Sequence, residues 1–384
     1  MHLYLHVPFC QRRCSYCDFS IAVRKTIPAR EYVEAIRGEV ARESAESGEG
    51  TRIARHETPT IYFGGGTPSL LPPEAIASLL TGLLDASSRR FPSTSLPRLD
   101  AFEVTLEANP EDVTPSAAAA WRKAGVNRIS LGSQSFDDRV LKWMHRVHDA
   151  ARIGQAVKTL RSAGFDNISL DLIFALPAEL ERDWRKDLVN AVALEPEHLS
   201  LYGLTVEERT PLARWVSRGA SSAPDDDRYA DEYLLAHERL ALAGYEFYEV
   251  SNAARSGRIS RHNSAYWTGK PYRGLGPAAH SFDGRRRFWN KRAWEDYRRA
   301  IKAGESPVES EEVLTDEQRK IEGIYLGLRT RQGLPGAVVP SDRRKAWVSA
   351  GWAEESGGNV RLTVDGWLLL DLLVSDLTGN TAIL

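Results

Sequence analysis

Short apolar runs alternate with amphipathic stretches along the first half of the chain. The runs predict β-strands from residue 2 and at 60–66, 102–108, 127–135, 167–177 and 198–206. The stretches between them predict helices at 29–46, 73–87, 115–124, 137–163 and 180–193. Six successive strand–helix units indicate an α/β fold with a parallel sheet and outer helices. In such folds, ligands bind at the carboxyl ends of the strands.

The C-terminal residues follow a different pattern. A Thr-x-x-Gln capping sequence, Thr315 to Gln318, opens an amphipathic helix. Residues 359–377 predict a short strand, a turn and a closing helix. We therefore expect three parts: a core domain at 1–235, a connecting region at 236–309, and a small winged-helix-like helical domain at 310–384.

Charge and hydropathy exclude several classes of protein. The 384-residue chain has a net charge of −2, so no basic field recruits nucleic acid, and the basic run at 284–288 is too short to do so. No apolar run approaches the roughly 18 residues of a membrane span, which leaves only peripheral membrane contact open. The N-terminus lacks the features of a signal peptide, and we expect a cytosolic protein.

All three cysteines of the chain, Cys10, Cys14 and Cys17, lie in one C-x3-C-x2-C segment that follows a strand. Three interpretations compete. The thiols could belong to the core, although core cysteines are usually scattered along a chain. They could bind zinc, which prefers four ligands and would need His6 or Asp18 as well. They could hold a [4Fe–4S] cluster with one iron left open for a substrate or cofactor.

Polar residues at the predicted strand ends form a second group of candidates. The glycine run ending at Gly65 and Gly66, followed by Thr67, allows a ligand to approach the backbone closely. The other candidates are Glu107, Gln134, Arg146, expected on helix 137–163, and Asp171. Asp171 lies between apolar neighbours, so it needs a partner or a ligand. Each of the others is also consistent with an ordinary strand-end or surface residue.

The cysteine loop after the first strand resembles that of the radical S-adenosylmethionine (SAM) superfamily. The resemblance implies a partial (β/α)6 barrel. It also implies a [4Fe–4S] cluster whose open iron is chelated by SAM, and whose electron cleaves SAM to form a radical. The protein would position the cofactors and exclude water.

A narrower resemblance rests on motifs spread over nearly the whole chain. They are LYLHVPFC, YFGGGTPSLL, EANP, GSQSF, LDLIFALP and HNSAYW. In this order they are similar to the oxygen-independent coproporphyrinogen III oxidases and the related HemW-type haem chaperones. The resemblance implies cluster ligation by the three cysteines and an aromatic residue, Tyr16, beside the cluster. It implies SAM contacts from Tyr4, Gly65, Gly66, Thr67, Glu107, Gln134, Arg146 and Asp171, with Tyr202 and Leu204 as further pocket residues.

Two departures favour the chaperones over the oxidases. Phe19 stands where the oxidases have a fourth cysteine, and the first strand begins at residue 2, without the oxidases' extension. In the chaperones an H-N-x-x-Y-W motif is implicated in haem binding, which makes His262 a candidate haem ligand. A structural hairpin is the alternative for this segment.

The expected function is therefore that of a haem chaperone with a cluster and SAM. Its expected partners are haem, haem-acceptor proteins and a reductant such as flavodoxin or ferredoxin. The alternative is radical decarboxylation of coproporphyrinogen III to protoporphyrinogen IX. RNA-modifying members of the superfamily usually have added cluster cysteines or an RNA-binding domain, which this sequence lacks.

Overall fold

The computed structural model describes residues 2–46, 59–90 and 99–379. The described strands are β1 His2–Val7, β2 Phe9–Cys10, β3 Ala22–Val23, β4 Thr60–Gly65, β5 Glu103–Ala108, β6 Arg128–Gln134, β7 Ile168–Phe174, β8 His198–Gly203, β9 Glu246–Glu249, β10 Asn252–Ala254, β11 Arg273–Leu275, β12 His280–Phe282, β13 Arg286–Asn290, β14 Val308–Val313, β15 Leu334–Pro335, β16 Ala353–Ser356 and β17 Asn359–Leu362. The described helices are α1 Ala29–Glu46, α2 Pro73–Arg90, α3 Pro115–Ala124, α4 Asp138–Trp143, α5 Ala150–Ser162, α6 Trp184–Ala193, α7 Pro211–Ser217, α8 Asp226–Leu242, α9 Arg261–Trp267, α10 Trp294–Lys302, α11 Asp316–Leu328, α12 Ser341–Ser349, α13 Val364–Leu368 and α14 Leu370–Thr378.

The predicted α/β fold is confirmed. One sheet has the order β11-β1-β4-β5-β6-β7-β8-β10-β9, and its strands from β11 to β8 are parallel. Within this sheet, β1 and β4 to β8 are mostly buried on both faces, as apolar runs in a parallel sheet should be. Helices connect the six successive parallel strands, which gives the partial (β/α)6 arrangement of the radical SAM fold.

Residues after the sixth unit complete both edges of this sheet. On one side β11 pairs in parallel with β1, and on the other β10 pairs antiparallel with β8. A separate antiparallel sheet, β12-β13-β14, follows directly after β11. The chain between β11 and β12 is therefore held close to the first strand and to the cysteine segment that follows it.

The C-terminal residues form the expected winged-helix-like arrangement. Helix α11 begins with the predicted capping box: the Thr315 side chain accepts from Gln318 N, and the Gln318 side chain accepts from Thr315 N. A small sheet of order β15-β17-β16 and helices α12 to α14 follow. The boundaries at 235 and 309 remain a prediction, and residues 380–384 lie outside the described part.

Two local predictions are wrong. Residues 137–163 form two helices, because α4 ends at Trp143 and His145 takes a left-handed conformation with φ 59°. Arg146 therefore lies in a loop and not on a helix. The segment 261–267, for which a hairpin was the structural alternative, is helix α9, capped by the Ser260 side chain.

None of the helices in the described residues combines the length and apolar character needed to cross a membrane.

Candidate functional site

The cysteine segment is a loop closed by a short parallel ladder. Cys10 ends β2, which pairs with β3 beyond the last cysteine. Ala22 N donates to Pro8 O at 2.7 Å, and Arg24 N donates to Cys10 O at 2.9 Å. Because both ends of the loop are fixed, Cys14 and Cys17 project from a short closed segment at the carboxyl end of β1.

The three cysteines line one cavity of about 380 Å³, here called the cysteine cavity. The structure brings most of the sequence-predicted residues to its walls: Tyr16, Gly65, Gly66, Thr67, Glu107, Gln134, Arg146, Asp171, Tyr202 and Leu204. They come from six different strand ends or their loops. Residues from Tyr16 to Leu204 therefore meet at one place, as the parallel-sheet prediction requires.

The glycine run is required by close packing against the first strand. A Cβ on Gly64 would lie 2.8 Å from a Tyr4 ring carbon, and one on Gly66 would lie 2.8 Å from Phe9 O. Gly65 has φ 112°, a conformation that other residues rarely adopt. Gly66 N and Thr67 N also donate to the carbonyls of Val7 and Phe9, each at 2.8 Å. The glycine run thus connects the end of strand β4 to the start of the cysteine loop.

Glu107 is a buried carboxylate with two fixed donors. Tyr62 OH donates to its Oε1 at 2.8 Å, and Gly65 N donates to its Oε2 at 3.0 Å. Burial, aided by the nearby Asp171, raises the pKa of Glu107 to about 7, although the Tyr62 hydrogen bond opposes the shift. A cationic ligand in the cavity would favour the ionised form.

Asp171 lies within β7 and is surrounded by serines. Ser130 Oγ donates to its two carboxylate oxygens at 3.1 and 3.2 Å, and Ser169 Oγ lies 3.4 Å away. Burial raises the pKa of Asp171 despite these hydrogen bonds. The sequence predicted that Asp171 needs a partner, and its partners are serine hydroxyls. These hydroxyls can rotate to hydrogen-bond a ligand as well.

Arg146 connects the loop after α4 to the cysteines. Its guanidinium donates to Asn109 Oδ1 at 2.6 Å and Gly132 O at 2.8 Å, and approaches Cys14 Sγ at 3.6 Å. Burial acts against its charge, but Tyr16 and Cys14 raise the pKa of Arg146 overall. The residue therefore places a fixed positive charge beside the thiols, where a ligand carboxylate could be bound.

Two predicted residues lie outside the cysteine cavity. Tyr4 lines a neighbouring cavity, described below, and its hydroxyl lies 3.2 Å from His6 Nδ1. His262 is 1% exposed and lines neither cavity. Its Nδ1 lies 2.7 Å from Thr60 Oγ1, and its Nε2 lies 2.8 Å from Tyr266 OH.

Sequence reasoning missed several residues that hold the site together. Tyr62 and Asn109 fix Glu107 and Arg146, and both stand inside motifs whose neighbours were selected. Ser130 supports Asp171 from the adjacent strand. Register with Asp171 could have identified Ser130, because residues on adjacent parallel strands that share a face are neighbours.

The cysteine geometry separates the metal alternatives. In residues 2–46, 59–90 and 99–379, no three His, Cys, Asp or Glu side chains converge closely enough to hold a single metal ion. The thiolates of a [4Fe–4S] cluster each bind a different iron, so they need to line one cavity without meeting at one point. Thr67 Oγ1, 3.4 Å from Cys10 Sγ, can remain as a hydrogen-bond donor to a bound thiolate.

Protonation must change when iron binds. Burial raises the pKa of Cys10 and raises the pKa of Cys17 to about 11, so both are neutral thiols in the unliganded chain. Iron binds the thiolate form and displaces these protons. The donor set, the cavity and the adjacent Arg146 fit a cluster with SAM.

Comparisons with known proteins agree with this geometry. Residues 4–189 match the model of the radical SAM superfamily. Together with the parallel sheet and the cysteine cavity, this match defines a radical SAM protein, and the superfamily implies a [4Fe–4S] cluster and SAM.

Full-length relatives narrow the assignment. The chain is 39% identical over 383 residues to "Heme chaperone HemW" of Mycobacterium tuberculosis, covering 98% of this chain and 94% of the relative. It is 33% identical over 331 residues to the protein of the same name from Bacillus subtilis, covering 86% and 84%. The chain belongs to the HemW family of haem chaperones within the radical SAM superfamily.

A solved structure shares the fold at lower identity. Coproporphyrinogen III oxidase (HemN) from Escherichia coli, described as a radical SAM enzyme, superimposes with a TM-score of 0.76 at 20% identity. The match covers 98% of this chain and 89% of the oxidase. At this identity the likeness concerns the fold alone.

Proposed function

We propose that the protein is a haem chaperone that binds haem, carries a [4Fe–4S] cluster with SAM, and transfers haem to acceptor proteins. The observation that carries the proposal is the 39% identity to a haem chaperone along 98% of the chain. Two adjoining cavities support the proposal, because SAM and a larger cargo need separate binding sites.

The chain's own residues have defined tasks in this proposal. Cys10, Cys14 and Cys17 hold the cluster, which when bound supplies a single electron and an open iron. Arg146 binds the SAM carboxylate beside Cys14, and the carboxylates of Glu107 and Asp171 bind its cationic and hydroxyl groups.

Other groups complete the pocket. Backbone at Gly65 and Gly66, with Thr67, borders the amine, and Gln134, Tyr202 and Leu204 line the remaining wall. Tyr16 packs with a small apolar cluster and keeps water away from the cysteines. Tyr4 lies outside this pocket, where its hydroxyl contacts His6 and its ring packs against Gly64.

The partners are part of the proposal, and the names of the relatives support them. The acceptor is a haem protein, and the reductant is a flavodoxin or ferredoxin. The predicted cytosolic location and the option of peripheral membrane contact belong to this proposal and need separate tests.

The haem-ligand role of His262 remains a prediction with a structural condition. Burial lowers the pKa of His262 to about 3, so its ring is neutral and able to bind iron. Both ring nitrogens are, however, hydrogen-bonded, to Thr60 and Tyr266. Iron binding by His262 would require one of these bonds to break and helix α9 to move.

Oxidase activity is the alternative that the sequence motifs left open, and the fold shared with coproporphyrinogen III oxidase does not decide it. Phe19, which replaces the oxidases' fourth cysteine, borders both cavities and cannot ligate iron. We therefore expect no steady decarboxylation.

One sample tests both functions. The protein is reconstituted anaerobically with iron and sulfide, titrated with haem, mixed with an apo-haem protein, and assayed with coproporphyrinogen III, SAM and reductant. Haem binding and transfer without protoporphyrinogen formation supports the proposal. Steady turnover, or failure to bind haem, contradicts it.

A further inference from the structure

A second cavity of about 450 Å³ adjoins the cysteine cavity. The two share a wall formed by Asp18, Phe19, Gly65 and Glu107. The other walls include His280, Trp289, Asn290, Arg292 and Glu309. Cavities of this size accommodate organic cofactors.

His280 presents an accessible imidazole to this cavity. It lies opposite Trp289 in the β12–β13 ladder, and the two rings stack with centroids 5.5 Å apart and 22° between planes. No described residue hydrogen-bonds to its ring nitrogens. Within residues 2–46, 59–90 and 99–379, the exposed histidines are His280 and His145, and His145 borders the cysteine cavity instead.

A buried network holds the backbone just before His280 and the strand that faces it. Glu39, fully buried on α1, accepts from Gly276 N at 2.9 Å, Asn290 Nδ2 at 2.6 Å and Tyr297 OH at 2.7 Å. Asn290 N in turn donates to Ala279 O at 3.0 Å. The imidazole therefore projects from a fixed frame, as a preformed metal ligand should.

Arg292 places a positive charge at the edge of the second cavity. Arg292 is exposed, and its Nη2 donates to Asp18 O at 3.2 Å, which leaves guanidinium donors for a carboxylate. The carboxylates of Asp18, Glu107 and Glu309 also line the cavity. A free imidazole, an Arg and the exposed aromatic ring of Phe19 suit an iron porphyrin with acidic side chains.

We infer that the second cavity is the haem site and that His280 is the axial ligand of the haem iron. This inference rests on the proposed function. The ring of an axial histidine stands perpendicular to the macrocycle, so Trp289, which is stacked on His280, meets the macrocycle by its edge. Phe19 lies beside the macrocycle, and Arg292 binds one propionate.

The electrostatic setting of His280 is consistent with this role. Burial and Arg287 lower the pKa of His280, whereas Glu312 raises it, so the neutral ring that binds iron is available at neutral pH. His262 offers no free nitrogen without local rearrangement.

The test is a haem titration of the reconstituted protein, followed by absorption spectroscopy of the wild type and three variants: His280→Ala, His262→Ala and His145→Ala. We expect His280→Ala alone to lose at least about tenfold in haem affinity and to shift the Soret band. Added imidazole should restore the wild-type spectrum of His280→Ala, an effect that a purely structural role would not give.

Two results overturn the assignment. One is a His280→Ala protein with unchanged affinity and spectrum. The other is the same loss and imidazole rescue in His262→Ala or His145→Ala instead. A wild-type protein that binds no haem refutes the proposed function itself, which separates that failure from a wrong ligand. Circular dichroism and the iron–sulfur absorbance show whether each variant is folded.

Discussion

The two cavities adjoin each other but are built from different parts of the chain. The cysteine cavity collects the ends of successive parallel strands and their loops, from Cys10 to Leu204. The second cavity combines the first strand and cysteine loop with β12, β13 and the start of β14, far along the sequence. In the first, buried polar groups are held by hydrogen bonds, whereas the second offers an exposed histidine and arginine. Our proposals assign the first cavity to the cluster and SAM and the second to haem, a cargo that must leave the protein.

Removing one cysteine should give the largest effect and leave the second cavity intact. We expect Cys14→Ala to lose nearly all iron–sulfur absorbance after anaerobic reconstitution, from about one cluster per chain. Haem affinity should stay within about twofold, because Cys14 does not line the second cavity. Iron and sulfide analysis with a parallel haem titration measures both. A full cluster in Cys14→Ala would refute the assignment, and zinc without iron in anaerobically purified wild type would favour the zinc site.

Truncating Asp171 should weaken SAM binding while the cluster and haem binding persist. The serines around it would lose their acceptor and SAM a hydroxyl partner, so a loss of about tenfold or more is expected. Equilibrium dialysis of SAM measures it, with the exposed Glu317→Ala on α11 as a matched carboxylate control. Equal SAM affinity in Asp171→Ala and the control would remove Asp171 from the pocket.

Glu107 in the shared wall should make stability depend on pH. Its pKa, raised from 4.5 to about 7 by burial, means that the folded chain binds this proton more tightly than the unfolded chain. Its stabilising contribution is complete below pH 4.5 and is lost as pH rises through about 7. Compared with Glu107→Gln, the unliganded wild type should therefore lose about 1–3 kcal/mol of unfolding free energy between pH 5 and 8. Urea denaturation at both values measures this, and parallel pH profiles for the two proteins would contradict it.

Phe19 should give the smallest effect, one that involves both cavities. Its side chain is 60% exposed, so Phe19→Ala should change the free energy of unfolding by no more than about 0.5 kcal/mol. It should weaken haem binding only a few-fold through lost contact with the macrocycle. Calorimetry of haem and SAM binding measures both. A large loss of SAM affinity alone would assign Phe19 to the cysteine cavity and not to the shared wall.

The sequence predicted the first cavity far better than the second. The apolar runs predict β4 to β8, and the strand-end rule groups Glu107, Gln134 and Asp171 from the sequence alone. These signals are local, because each depends on a few neighbouring residues and on one rule of sheet geometry.

The remainder depended on contacts between distant residues. Nothing near Arg273 indicates that β11 pairs in parallel with Leu3, some 270 positions earlier, and this pairing brings His280 near the cysteine loop. The sequence also shows no sign that the helix predicted at 137–163 breaks at His145, because the helical spacing of apolar residues continues through this position. His145 takes a left-handed backbone conformation directly before Arg146, whose guanidinium lies beside Cys14.

The shared wall has a thermodynamic consequence. Asp18, Phe19, Gly65 and Glu107 would contact an occupant on either side, so the two binding equilibria are linked. If bound SAM changes the dissociation constant of haem by some factor, bound haem must change the dissociation constant of SAM by the same factor. A cell's supply of SAM would thereby set how firmly the protein retains its cargo, and release to an acceptor would be adjusted without any contact between SAM and haem.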